Sequence, residues 1–182
     1  MTHDLDDISV YACWTRLNET PEDIARMSMR FMKEFSTRIE TGPWEPLEGE
    51  WDGTEAGLVE VIKRNPITDD DGEPIPGDGY STTLNNDRGP LNTDFNVRAG
   101  TNRFNKRVAS PCFTQKYYHS EHASAGELWD ASVHAAVIAF DPAFVTGQER
   151  AVLRMTRRGG WKIPFGYRVW INDWVGTIAT HA

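Results

Sequence analysis

Apolar side chains recur at three- and four-residue steps in two long stretches of the chain, and alternate with polar ones in several shorter stretches. The first long stretch carries Ile24, Met27, Phe31, Phe35 and Ile39 on one helical face. Its start is explicit: Thr20 as N-cap, Pro21 at the first helical position, then Glu22 and Asp23, so that free N–H groups and helix dipole are satisfied together. The pattern predicts a core-facing helix to about Glu40, stopped by Gly42 and Pro43. The second stretch begins with Ser124 and Glu127 at capping-box spacing and places Leu128, Ala131, Ala135 and Ile138 on one side. Trp129, Val133, Ala136 and Phe140 widen that apolar surface, which calls for a helix packed on both sides of a sheet edge or largely buried, ending at Asp141-Pro142. A shorter helix is expected from Thr54 to about Arg64.

Strand-like segments are Ser9–Trp14, then Tyr80–Leu84, Asp94–Ala99 and Val108–Phe113, the last three reading as an antiparallel meander. Alternation of Phe95, Val97 and Ala99 predicts one buried and one wet face. In the tail, Phe144–Thr146 reads as a short strand, Gln148–Arg157 as a basic helix, and Tyr167–Ile171 as a strand after a turn at Gly159-Gly160-Trp161. The order β, α, β-meander, α, β defines an α+β chain: one domain, residues 1–182, with a mostly antiparallel sheet and two main helices packed on it.

Charge sharpens this picture because it is concentrated. The net charge is -8, but between Glu40 and Asp78 twelve acidic residues face two basic ones, Lys63 and Arg64. Such a block is either a solvated loop or a surface that meets a basic partner. It argues against direct nucleic-acid binding, since phosphates are repelled there. Asn65–Gly79, with its prolines, glycines and carboxylates, reads as an exposed acidic loop. Met1–Asp7 is acidic where a secretory signal is basic, and every apolar run is broken by charge before it reaches membrane-spanning length. The expectation is a cytoplasmic protein with no membrane partner.

Chemistry-bearing patterns are scarce. Cys13 and Cys112 lie in apolar, strand-like stretches and read as buried and reduced. His119, Glu121 and His122 lack the four-residue step of a helical zinc site and read as turn residues before the second long helix. Ser110-Pro111-Cys112-Phe113 is no nucleophile elbow, and phosphate-binding glycine loops are absent from the sequence. Asp69-Asp70-Asp71-Gly72 lacks the spaced ligands of a calcium loop. No catalytic residue, metal or cofactor is expected, and binding is favoured over catalysis.

Of seven tryptophans, Trp14, Trp129 and Trp170 fall on predicted elements as core. Trp44 and Trp51, among Glu45, Glu48, Glu50 and Asp52, are candidates for an exposed hot spot with a charged rim, the alternative being that they cap the sheet or first helix. With Asp69, Asp70, Asp71 and Glu73 they form the candidate partner-binding set.

Several of these segments together resemble the immunity protein 52 family of bacterial polymorphic-toxin and type VI secretion systems. Tyr11-Ala12-Cys13-Trp14 with Arg16, the helix start Thr20-Pro21-Glu22-Asp23, and Trp44 carry the likeness in the first part. Phe95-Asn96-Val97-Arg98-Ala99-Gly100 looks like that family's central strand, and Phe140-Asp141-Pro142 like its Trp-Asp-Pro helix end. Gly160-Trp161, or the strand Tyr167–Trp170, matches its C-terminal aromatic strand, so the likeness spans nearly the whole chain. The resemblance implies an α+β protein that binds a cognate toxin domain, often a nuclease, and blocks it. Other readings are a different binding module, such as an adaptor or a phage-encoded inhibitor, or an enzyme with an unrecognised site. Homodimerisation is left open.

Overall fold

The computed structural model describes residues 3–4, 8–102, 111–149 and 168–175. Thr20 caps helix α1 (Pro21–Ser36) through its side chain, as expected, and Asp23 returns a bond to the Thr20 backbone, which makes the cap a capping box. α1 stops four residues before the expected Glu40, where the Thr37 hydroxyl donates to Glu34 O at 2.7 Å. Ile39 is nevertheless buried. Helix α2 (Glu55–Lys63) has Thr54 and Arg64 as its caps, and helix α3 (Ala125–Phe140) shows the capping box between Ser124 and Glu127. α3 ends at Asp141 in the left-handed region, φ 42°, directly before Pro142.

The strands are β1 (His3–Asp4), β2 (Ile8–Cys13), β3 (Glu45–Pro46), β4 (Tyr80–Asn86), β5 (Leu91–Ala99), β6 (Cys112–Ser120), β7 (Phe144–Glu149) and β8 (Arg168–Ile171). All pairings are antiparallel, in the order β3-β4-β5-β6-β2-β7-β8, with β1 paired to β6. The meander is therefore β4-β5-β6, and β2 is the strand that joins it to β7. Strict alternation in β5 turns Leu91, Thr93, Phe95, Val97 and Ala99 inward and leaves Asn92, Asp94, Asn96 and Arg98 half-buried on the other face.

Helices pack on the apolar face. Phe31 of α1 is the hub, with ring centroids 4.9 Å from Phe95, 4.5 Å from Phe113 and 5.9 Å from Phe140. α1 touches both α2 and α3. Leu58 and Ile62 of α2 and Leu128, Ala135 and Phe140 of α3 complete one continuous core with Val10, Leu84 and Val145 of the sheet.

Three expectations need correction. The third meander strand is Cys112–Ser120, not Val108–Phe113, and positions 108–110 lie outside the described residues. Its inward position Gln115 is polar, which hides the strand in the sequence. Burial there is tolerated because Ser132 of α3 donates to Gln115 Oε1 at 2.6 Å, Gln115 donates to Thr93 at 3.2 Å, and the Tyr117 hydroxyl bonds Ser132 and, at 3.2 Å, Leu128 O. His119 accordingly belongs to this strand, whereas Glu121 and His122 are exposed beyond it. Gln148 and Glu149 belong to β7, opposite Ser9 and Ile8, rather than to a helix, and 150–157 and Gly159-Gly160-Trp161 lie outside the described residues. Trp170, expected in the core, is half-buried on β8.

Cys13 and Cys112 are buried, reduced and directly opposite each other across β2 and β6. Burial, with the facing Cys112, pushes the Cys13 thiol up to about 12. Among the described residues no helix is long and apolar enough to cross a membrane.

Candidate partner-binding edge

The outer edge of β4 carries most of the acidic block. Residues 44–52 form a strap along it: Glu45 pairs with Asn85, Pro46 with Leu84, and Leu47 N donates to Thr83 O at 2.9 Å. After α2 the chain returns to the same edge, where Ser81 N donates to Asn65 O at 3.0 Å and Ile67 N to Gly79 O at 2.9 Å. The expected loop 65–79 is thus a hydrogen-bonded hairpin, with bridges Pro66 to Tyr80 and Thr68 to Pro74. Asp69, Asp70, Asp71 and Glu73 are exposed as predicted, whereas Asp78 is buried. Gly79 closes the hairpin at φ +85°, and a Cβ there would lie 2.1 Å from Ala99 O, so only glycine fits. From Asn85 to Tyr80 the edge is about 17 Å long, so strap and hairpin tip sit towards opposite ends of it.

The structure corrects the expectation that Trp44 and Trp51 are exposed. Both are half-buried against the core. The Trp44 ring lies 5.1 Å from Phe95 and 6.3 Å from Phe35, closing the open end of the aromatic cluster. Trp51 packs against the core and donates from Nε1 to Thr54 O at 2.7 Å. These rings pin the strap to the domain, which is the capping alternative.

Several of the predicted carboxylates are also occupied. Glu45 pairs with Arg88 at 2.9 Å. Asp52 accepts from the Thr54 hydroxyl at 2.7 Å and Thr54 N at 2.9 Å, and these bonds hold its carboxyl below the ordinary range. It sits so close to α2 that a Cβ at Gly57 would lie 2.1 Å from its Oδ1. Asp69 accepts from Asp71 N at 3.0 Å and Glu73 N at 2.9 Å and so shapes the hairpin tip.

The remaining predicted residues differ. Glu48, Glu50, Asp70, Asp71 and Glu73 are exposed, and among the described residues none of them forms an ion pair. Arg64 lies under Gly49 of the strap with its Nε bonded to Glu60 O at 3.1 Å. Next to Glu48, Leu47 is 65% exposed, the largest exposure of any bulky apolar side chain described. Sequence reading missed Leu47, because nothing in Glu45-Pro46-Leu47-Glu48 distinguishes a leucine turned outward from one turned inward.

A second charged cluster sits at the end of β2. Trp14 stacks on Phe140 at 5.2 Å and donates to Glu19 Oε1 at 2.7 Å, and Glu19 also accepts from Gly100 N at 3.2 Å. Arg16 donates to Phe140 O and, at 3.3 Å, to Asp141 O, satisfying carbonyls at the end of α3. The opening and helix-end segments that carry the family likeness therefore meet in space. Among the described residues no group of three His, Cys, Asp or Glu is arranged to hold a metal ion. No protein-family model matches the chain, and no curated protein is significantly similar to it.

Proposed function

We propose that this chain is a protein-binding module that engages a basic partner through the outer edge of β4, and that it acts as an immunity protein. In this reading it neutralises a cognate bacterial toxin domain in the cytoplasm, a nuclease, by occluding its active site, without catalysis, metal or cofactor. The observation that supports the binding is that Glu48 and Glu50 beside the exposed Leu47, and Asp70, Asp71 and Glu73 at the hairpin tip towards the other end of the edge, form no ion pair among the described residues. An apolar anchor with a charged rim is how protein interfaces divide their work: the anchor supplies affinity, the charges speed encounter and select the partner. A row of carboxylates also fits a cleft built for phosphates. The choice of a toxin as partner comes from the motif resemblance alone.

The test is capture of the partner from the native cells by the tagged full chain, followed by an activity assay. A stoichiometric protein with a toxin domain, whose activity falls as the chain is added, is the expected result. Capture of a basic protein without toxin activity would replace the immunity role by an adaptor role. Absence of any partner in the native cells that express the chain would contradict the proposal.

A further inference from the structure

The pairing of β2 with β6 brings together the only two cysteines of the sequence, Cys13 and Cys112. They are Cα partners in that ladder, so both side chains leave the same face of the sheet. Two bonds fix the kind of pair they form. Ala143 N donates to Cys13 O at 2.7 Å, which turns that carbonyl towards β7, and Trp14 N donates to Pro111 O at 3.1 Å, which makes the adjacent pair the hydrogen-bonded one. Cys13 and Cys112 are therefore a non-hydrogen-bonded pair, in which Cα atoms stand about 4.5 Å apart and side chains are nearest. Disulfides span Cα separations of about 4.4–6.8 Å, so the ladder already places these residues within the range that the bond needs. Their neighbours Ala12 and Phe113 point into the core beneath the helices, whereas both cysteines lie on the opposite face, 6% and 7% exposed.

We infer that Cys13 and Cys112 close to a reversible disulfide when the chain meets a peroxide, and that the bond clamps β2 to β6. One hydrogen peroxide and the two thiols give one disulfide and two waters. The first sulfur takes an oxygen as the O–O bond breaks, becoming a sulfenic acid and releasing water, and the second sulfur displaces that oxygen as the other water. Each sulfur gives up one electron and the peroxide gains two. Burial, with the facing Cys112, holds the Cys13 thiol up at about 12, so thiolate is scarce at neutral pH and the pair answers sustained rather than brief exposure to oxidant. A reducing compartment keeps both residues as thiols. Once formed, the bond closes a loop of about 100 residues, which restricts the unfolded chain and ties β2, set between β6 and β7, to the meander. This inference is independent of the binding reading above.

The test treats the dilute, native full chain with hydrogen peroxide, blocks the remaining thiols with iodoacetamide and maps the peptides by mass spectrometry without reduction. A peptide pair joined through Cys13 and Cys112 is expected, formed faster as pH rises and removed by dithiothreitol. The melting temperature of the oxidised chain should exceed that of the same sample in dithiothreitol by at least about 5 °C. Cys112→Ala, treated in the same way, should show no such rise; should this variant fail to fold, the oxidised and reduced wild type alone decide. A sulfinic or sulfonic acid at either residue in place of the bond, a bond between two chains, a bond formed only in urea, or a bond that leaves the melting temperature unchanged would overturn the inference.

Discussion

At the junction of β2 with the end of α3, charges face one another: Arg16 stands 4.0 Å from Glu19 and 3.6 Å from Asp141, and bonds the last carbonyls of the helix. Along the outer edge of β4, Glu48, Glu50, Asp70, Asp71 and Glu73 face solvent and form no ion pair among the described residues. Both regions are rich in charge beside aromatic rings, but only the edge read as a binding surface in the sequence. Partnership separates them. A carboxylate that accepts from a buried indole, as Glu19 does, is bound to the fold, and its removal leaves donors stranded. A carboxylate that accepts nothing is available for another molecule, at the cost of repulsion from its neighbours.

The largest effect expected from breaking this contrast is at the junction. Phe140→Ala removes a buried ring that contacts Trp14, Phe31 and Phe113, and should cost about 3–5 kcal/mol. Urea unfolding read by tryptophan fluorescence measures it. Glu19→Ala should cost about 2–3 kcal/mol by stranding Trp14 Nε1 and Gly100 N, and a loss under half that would place the junction on the same footing as the edge. Next comes Ser124→Ala, at about 1 kcal/mol from loss of the α3 cap. Here the pH dependence has a definite sign. Bonds from the Ser124 hydroxyl and then its backbone hold the Glu127 carboxyl below its ordinary value. Its stabilisation is complete above the unfolded pKa and is lost as pH falls through the folded one, so the gap between wild type and variant should narrow below about pH 4.

The caps were legible because capping is local: Thr20-Pro21-Glu22-Asp23 and Ser124 to Glu127 contain both donor and acceptor within one turn. β6 was misplaced because what makes Gln115 buriable is Ser132, on another element. The acidic edge was legible as composition but not as a surface. Neither Trp44 nor Trp51 announces which end of its ring meets the core, and the glutamates around them record only that the strap is near water. Nothing local separates Asp52 and Asp69 from their neighbours, since Glu48, Glu50, Asp70 and Asp71 also precede a glycine within three residues; the loop bonds of Asp52 and Asp69 are seen only in the fold.

The smallest effect on stability is expected at the edge. Replacing Glu48, Glu50, Asp70, Asp71 and Glu73 by lysine, one at a time, should move stability by no more than about 0.5 kcal/mol each. The same change at Asp52 or at the buried Asp78 should unfold part of the strap or hairpin, seen as a lower melting temperature. This division is what sharpens the comparison, because it ties each carboxylate's role to whether it already has a partner.

The most direct measurement is stopped-flow association of the captured partner with the wild-type chain and with the E48K/E50K/D70K/D71K/E73K variant, at low and high salt. The account predicts that the variant folds normally, associates at least about tenfold more slowly at low salt, and loses most of the salt dependence seen with the wild type. Equal rates and equal salt dependence for the two chains would show that the partner binds elsewhere.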